Sequence, residues 1–166
     1  SIAKTLAVYS AFTEGLQLFS SFAILLNFPR FGRMKGMGQI VTYSIRDESM
    51  HVEAMTKLFR EFIQEHLDIW TDDFKKEIYQ ICREMVKLEE KFLDLVFEMG
   101  DIEGLTKEEM YAYNKYIADR RLLQLGLKPN FNQKDNPLTW LDDVLGVEHQ
   151  NFFEGRATSY QKAGLR

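Results

Sequence analysis

Residues 7–28 read AVYSAFTEGLQLFSSFAILLNF and carry one charged side chain, Glu14. No other charged residue lies between Lys4 and Arg30. A helix that is apolar on all sides is typical of the centre of a soluble helical bundle. We expect the helix to stop at Pro29, because proline disfavours helical geometry at the residue before it. The stretch therefore predicts a central helix over about residues 2–28 with a carboxylate inside it.

Three more helices follow from the spacing of apolar residues and from capping signals. We predict them over about residues 37–66, 71–100 and 106–126. Thr71 is the predicted N-cap of the third helix, and TKEE at residues 106–109 has the form of a capping box. No segment alternates like a strand, so the predicted class is all-α. We divide the chain into a helical domain at residues 1–146 and a flexible, polar C-terminal tail at 147–166.

Composition excludes several classes of protein. Of the 166 residues, 45% are hydrophobic and 28% charged, which indicates a globular chain. A net charge of -4 argues against a nucleic-acid surface, and the single Cys82 excludes an internal disulfide and fits a reducing cytosol. The N-terminal residues lack the features of a signal peptide. We expect a cytoplasmic protein without a membrane partner, since polar residues interrupt the apolar run: Thr13, Glu14, Gln17, Ser20, Ser21 and Asn27.

The second predicted helix has ionisable residues in a line that should face the core. Steps of three and four residues trace this line through Ile40, Ser44, Asp47, Glu48, His51, Met55, Leu58 and Phe62. Both ends of the line are apolar, and its centre is acid and imidazole. A buried carboxylate must take up a proton or find a partner. A divalent metal ion can bind carboxylates and neutral imidazole together while supplying positive charge.

Glu48 and His51 are three residues apart and point the same way on a helix. Glu-x-x-His with a further glutamate from a facing helix is the ligand pattern of ferritin-like dimetal carboxylate proteins. Glu14, Glu48 and His51 are therefore the candidate metal ligands, and Asp47 is a candidate hydrogen-bonding partner outside them. The spacing leaves one alternative open, a buried Glu48–His51 ion pair with a hydrogen-bonded Glu14.

Longer motifs resemble one family. EGLQLFSSFAILLNFPRFGRMKGMGQIVTYSIRDESMH at residues 14–51 closely resembles the small, radical-generating subunit of class I ribonucleotide reductase. The resemblance continues through residues 126–145 to FFEGRATSY at 152–160. It implies a ferritin-like bundle with a dinuclear metal centre, iron being favoured and manganese or a mixed manganese–iron pair being alternatives. It also implies oxygen activation and transfer of an oxidising equivalent to a large subunit that reduces ribonucleotides.

The resemblance assigns roles around the metals. Glu14, Glu48 and His51 match the three ligands of the family's second ligand set. Asp47 matches an aspartate that hydrogen-bonds a histidine of the other ligand set and belongs to the radical-transfer chain.

Other positions also match the family. Phe22 and Ser44 match residues that line the metal pocket, and Leu18 stands where several relatives have phenylalanine. Tyr160 aligns with the tyrosine that relays the radical across the subunit interface, and Glu154 matches an acidic residue implicated in that transfer.

Part of the family's site is missing from the sequence. The first ligand set contains a second Glu-x-x-His, which does not occur here, and the radical-bearing tyrosine also belongs to that upstream part. We therefore expect the C-terminal half of a small subunit, inactive alone. It could be a natural split subunit, a proteolytic product or a truncated chain. The expected partners are an N-terminal complement, the large catalytic subunit and, for the complete subunit, a second copy.

Two other functions remain open. One is a ferritin-like oxidase outside nucleotide reduction, which would have no need of Tyr160. The other is a non-catalytic helical interaction module whose polar core groups provide specificity. Loss of bound metal in Glu48→Ala would exclude the interaction module.

Overall fold

The computed structural model describes residues 2–143. Within this range the chain is helical and has no strand, apart from an isolated bridge between Ile102 and Leu105. This confirms the all-α class. The predicted tail, residues 147–166, lies outside the described residues. The elements in chain order are α1 (Ile2–Ala7), a π-helix called π1 (Val8–Gln17), α2 (Leu18–Arg30), α3 (Lys35–Glu65), a 3-10 turn (Leu67–Ile69), α4 (Asp72–Glu98) and α5 (Lys107–Gln124).

The first predicted helix is one continuous run, but it is not uniform. Its middle third is the π-helix π1, and its last turn passes Pro29 to end at Arg30. The predicted end at residue 28 was therefore two residues short. The helix ends after Pro29 in a tighter turn, in which hydrogen bonds join residues three apart. The amide of Phe31 donates to the carbonyl of Phe28 at 3.1 Å. Between residues 2 and 143 no helix has the length and hydropathy needed to cross a bilayer.

The capping predictions are confirmed. The Thr71 hydroxyl accepts a hydrogen bond from the amide of Phe74 at 3.2 Å. At the start of α5, the Thr106 hydroxyl accepts from the amide of Glu109 at 3.1 Å, and the Glu109 carboxylate accepts from the amide of Thr106 at 2.8 Å. Each side chain satisfies an amide that the helix leaves without an internal partner. The two caps fix where α4 and α5 begin.

The first helical run forms the centre of the bundle. π1 contacts α3, α4 and α5, and α2 contacts α3 and α5, so the run separates α3 from the α4–α5 pair. This confirms the central position predicted from its apolar sequence. The largest fully buried side chains come from all these elements and include Phe12, Leu16, Leu26, Phe59, Ile78, Leu93 and Leu122.

Arg30 organises the corner where α2 ends. Its Nη1 donates to the carbonyl of Gly104 at 2.9 Å, and its guanidinium carbon lies 5.2 Å and 4.8 Å from the ring centroids of Phe31 and Trp140. Gly104 has a φ of +71°, and a Cβ there would lie 2.4 Å from the Phe31 ring. The Arg30 corner therefore joins the end of α2, the α4–α5 loop and the helical turn at residues 139–143.

Candidate metal centre

Three candidate ligands from two adjacent elements lie together. Glu14 in π1 and Glu48 and His51 in α3 each offer one ligand atom, and these atoms all lie within 4.8 Å of one another. Glu48 Oε2 and His51 Nδ1 are 3.5 Å apart. The approach across the helices follows from the direct packing of π1 against α3. The fold thus assembles the set of two carboxylates and one imidazole that the sequence indicated.

This cluster lies at the edge of the described bundle and not in its centre. The His51 side chain is 58% exposed and that of Glu48 is 24% exposed, while Glu14 is partly buried. The prediction that these groups face a closed apolar core was therefore wrong for the described residues. Asp47, next to Glu48 on α3, is also exposed.

The buried residues of α3 lie one position further along the sequence than the residues predicted to face inward. Ile40 is 66% exposed and Leu58 is 51% exposed, although both were predicted to face inward. Periodicity marks an apolar band on a helix but does not fix which edge of that band a neighbour covers. Here α1, π1 and α2 cover the edge formed by Gly38, Val41, Thr42, Ile45, Val52, Thr56, Phe59 and Ile63.

Glu14 owes its position to the π-helix, which the sequence did not predict. A π-helix bonds each amide to the carbonyl five residues earlier, usually for a single turn and often at a functional site. π1 runs for ten residues, Val8–Gln17, and contains Glu14 in its second half. The one feature of the sequence that could have indicated the π-helix was Gly15. Glycine inside a helix costs about 1 kcal/mol relative to alanine, so its presence indicates a local constraint.

The candidate pocket residues share helix faces with the ligands. Leu18 and Phe22 follow Glu14 at steps of four residues, and Leu18 is 38% exposed. Phe22 is partly buried. Ser44 lies four residues before Glu48 and donates its hydroxyl hydrogen to the carbonyl of Ile40 at 3.3 Å. Ser44 thus lies on the same element as Glu48 and His51, whereas Leu18 and Phe22 lie on α2, directly after the element that carries Glu14. Glu154 and Tyr160 lie outside the described residues.

The donor set suits a transition metal. Carboxylate oxygen and imidazole nitrogen bind such ions at about 2.0–2.2 Å, so ligand atoms around one ion lie within about 4 Å of each other. The cluster, at 4.8 Å or less, needs only small side-chain adjustments to meet that span. The alternative, a buried Glu48–His51 ion pair with a hydrogen-bonded Glu14, does not fit a His51 side chain that is 58% exposed. The residues present therefore fit a metal ion.

A buried acid, Glu89, escaped the sequence analysis. It is 5% exposed, and its Oε1 has no hydrogen-bond partner among the described residues. Burial raises the pKa of Glu89 to about 7, against a smaller opposing effect from a hydrogen bond with Ser20. The available signal was its spacing, since it continues the buried line of α4 formed by Ile78, Cys82, Val86 and Leu93. Glu89 is a candidate for pH-dependent behaviour of the fold.

Comparison with known proteins gives a consistent result. The family described as "Ribonucleotide reductase, small chain" matches residues 1–137. The chain is 46% identical over 99% of its length to the probable ribonucleoside-diphosphate reductase small subunit 376L of Invertebrate iridescent virus 6, covering 53% of that protein. It is 34% identical over 97% of its length to the ribonucleoside-diphosphate reductase subunit beta of Chlamydia pneumoniae, covering 46%. The chain thus spans about half the length of the curated relatives it matches.

Solved structures agree. The putative class I ribonucleotide reductase from Bacillus halodurans superposes with a TM-score of 0.76 at 30% identity, over 83% of this chain and 49% of the other. The ribonucleotide reductase R2 subunit from Clostridium botulinum gives 0.80 at 28% identity, over 84% and 44%. These matches confirm the predicted ferritin-like helical fold.

Proposed function

Because this chain belongs to the small-subunit family of class I ribonucleotide reductase, we propose that it provides half of a dimetal site in the radical-generating subunit. That subunit activates oxygen and passes an oxidising equivalent to the large subunit for the reduction of ribonucleotides. The observation that carries the proposal is the convergence of Glu14, Glu48 and His51 to within 4.8 Å. When bound, the metal centre would supply the redox chemistry with oxygen, iron being favoured over manganese or a mixed pair.

Each ligand contributes a distinct property. Glu14 and Glu48 bring two negative charges that balance a divalent ion, and carboxylates can bridge two ions. His51 adds a neutral nitrogen donor, and its 3.5 Å contact with Glu48 limits how far the imidazole can turn. We propose that Leu18, Phe22 and Ser44 border the same site and limit the access of water and oxygen.

The exposed face of α3 supports the expected N-terminal complement. Ile40, Tyr43, Met50 and Leu58 are large apolar side chains with 45% to 66% exposure, spaced along one side of the helix that also carries Asp47. Exposed apolar patches of this kind mark interaction surfaces. We propose that the complement, with the first ligand set, covers this face and brings a histidine ligand to Asp47. Dimerisation of the complete subunit belongs to the same proposal.

We propose that three positions take part in radical transfer. Asp47 is the first, and Glu154 and Tyr160 are proposed to continue the transfer toward the large subunit. We propose a cytoplasmic location, where reduced thiols such as the buried, unpaired Cys82 are stable.

Metal analysis tests the proposal. The chain is combined with its N-terminal complement, loaded with Fe²⁺ or Mn²⁺, and compared with Glu48→Ala and with Glu53→Ala, an exposed glutamate on the same helix. Glu48→Ala should lose stoichiometric metal, whereas Glu53→Ala should retain it. Equal metal content in all three proteins would refute the site and favour a helical interaction module.

A second arm separates the reductase from a ferritin-like oxidase. With the large subunit added, Tyr160→Phe should keep its metal but lose nucleotide reduction, because only the phenol is removed. A complex that retains turnover in Tyr160→Phe would refute the role of the tail.

A further inference from the structure

Arg121 extends from α5 to the backbone of π1, next to Glu14. Its Nε donates to the carbonyl of Gly15 at 2.7 Å, and its Nη1 donates to Gln124 Oε1 at 2.9 Å. The guanidinium carbon lies 4.8 Å from the ring centroid of Phe19. Arg121 is only 9% exposed, so this charged group is held inside the bundle by a specific set of contacts.

Burial of this guanidinium carries a cost. Removal from water disfavours the charged form and lowers the pKa of Arg121 to about 10. A buried charge is tolerated only where hydrogen bonds replace its water. The hydrogen bonds to Gly15 and Gln124 provide that replacement, and the contact with the Phe19 ring adds to it. The arginine is therefore placed at considerable cost against one particular peptide group.

Gly15 leaves the space that the arginine occupies. A Cβ on residue 15 would lie 2.7 Å from Arg121 Nε and 2.8 Å from the carbonyl oxygen of Ser10. The first distance shows that any larger residue would displace the guanidinium. The second shows that the wide turn of the π-helix itself crowds this position. Gly15 and Arg121 thus fit one another at the residue that follows a candidate ligand.

The carbonyl that accepts from Arg121 lies close to the end of π1. Where bonding from residue i to i+5 changes to bonding from i to i+4, the ladder passes over one carbonyl, because successive amides bond to carbonyls on either side of it. π1 ends at Gln17 and α2 starts at Leu18, so Gly15 lies two residues before the end of π1, in the turn that leads into this changeover. Arg121 supplies a hydrogen there from another helix.

We propose that Arg121 is a positioning residue for Glu14. Its bond to the Gly15 carbonyl holds the π-helical register of Val8–Gln17, and that register directs the Glu14 carboxylate toward Glu48 and His51. This inference rests on the proposed metal site. Without the arginine, the changeover moves along the helix and Glu14 turns away from its two partners.

The test is Mn²⁺ and Co²⁺ binding by the 166-residue chain combined with its N-terminal complement, compared with the same complex carrying Arg121→Met. Loss of a group that orients a metal ligand typically lowers metal affinity about 10–100-fold. We expect Arg121→Met to bind Mn²⁺ about tenfold more weakly and to alter the visible absorption of bound Co²⁺. Hydrogen exchange of the amides of residues 8–19 should accelerate in the same variant. Arg121→Lys should recover part of the affinity, because an ammonium group can also donate to the Gly15 carbonyl.

Arg120→Met is the matched control. Arg120 is the preceding residue, exposed, and its guanidinium carbon lies 5.6 Å from the ring centroid of Tyr116. The Arg120→Met variant loses the same charge as Arg121→Met, and its Mn²⁺ affinity and Co²⁺ spectrum should match those of the wild type. Circular dichroism establishes that each variant is folded at the temperature of measurement. If Arg121→Met does not fold, Gln124→Ala removes one hydrogen bond of the guanidinium and should give a smaller loss of affinity.

The outcomes separate the two proposals. The positioning role is refuted if folded Arg121→Met keeps wild-type Mn²⁺ affinity, the same Co²⁺ spectrum and slow exchange at residues 8–19. Where Arg121→Met does not fold, the same three results for folded Gln124→Ala refute it. Glu48→Ala is measured in the same series. If it binds Mn²⁺ as well as the wild type does, or if the wild type binds none, the metal site itself is refuted and the role of Arg121 toward it fails too.

Discussion

Replacement of Glu89 by glutamine should stabilise the protein above neutral pH. Glu89 is 5% exposed on α4, and its Oε1 lacks a hydrogen-bond partner among the described residues. Burial raises its pKa from an ordinary value of 4.5 to about 7. At about 1.4 kcal/mol per pKa unit, an ionised Glu89 lowers the free energy of unfolding by up to about 3 kcal/mol at pH 8. Glutamine has nearly the shape of the protonated acid and never ionises.

The sign follows from proton binding. Between about pH 4.5 and 7 the folded state keeps the proton on Glu89, whereas the unfolded state has lost it. Stability of the wild type therefore falls as pH rises through this window, and the loss levels off above about pH 7. The Glu89→Gln variant lacks this contribution, so its advantage should be close to zero at pH 4.5 and greatest at pH 8.

Urea denaturation followed by circular dichroism measures the effect. The wild type and Glu89→Gln are compared at several pH values between 5 and 8, with equal slopes in urea as the condition for comparing free energies. Glu84→Gln is the control, because Glu84 is exposed on the same helix and loses the same charge. A Glu89→Gln advantage that does not grow with pH beyond that of Glu84→Gln would refute the argument from burial.

Two further variants test local structure. Asp119 is buried and its carboxylate accepts hydrogen bonds from the amides of Asn130, Phe131 and Gln133 at 2.7, 2.9 and 2.9 Å, so Asp119→Ala should lower the free energy of unfolding by about 2–3 kcal/mol. Urea denaturation measures this, and a loss below about 0.5 kcal/mol would contradict it. Thr106→Ala removes one half of the capping box and should cost about 1 kcal/mol, whereas Thr106→Ser should cost much less; equal melting temperatures for the two would argue against the cap.

Features that depend on neighbouring residues in sequence were predicted well. The N-caps Thr71 and Thr106 were correct because an N-cap needs only its own hydroxyl and an amide two or three positions later. The Glu48–His51 pair was found for the same reason, since a spacing of three residues fixes their common side on a helix. The inclusion of Glu14 needed one more step, the physical cost of a lone carboxylate in an apolar helix.

Features that depend on packing between helices were missed. The π-helix around Glu14 involves Arg121, a residue more than one hundred positions away, and no local pattern of apolar residues indicates it. The exposed position of His51 has a similar origin. Its helix carries an apolar band wider than the surface that α1, π1 and α2 cover, so the crossing of the helices decides which edge is buried. Periodicity alone contains no such information.

The Arg30 corner has a consequence for the order in which the chain is made. Trp140, which stacks on Arg30, is added more than one hundred residues later. At ribosomal rates of about 5–20 residues per second, that interval is on the order of ten seconds. Throughout this time the Arg30 guanidinium at the end of α2 lacks the ring that will later cover it. The corner can therefore close only after Trp140 has been synthesised, late in the folding of the helical part.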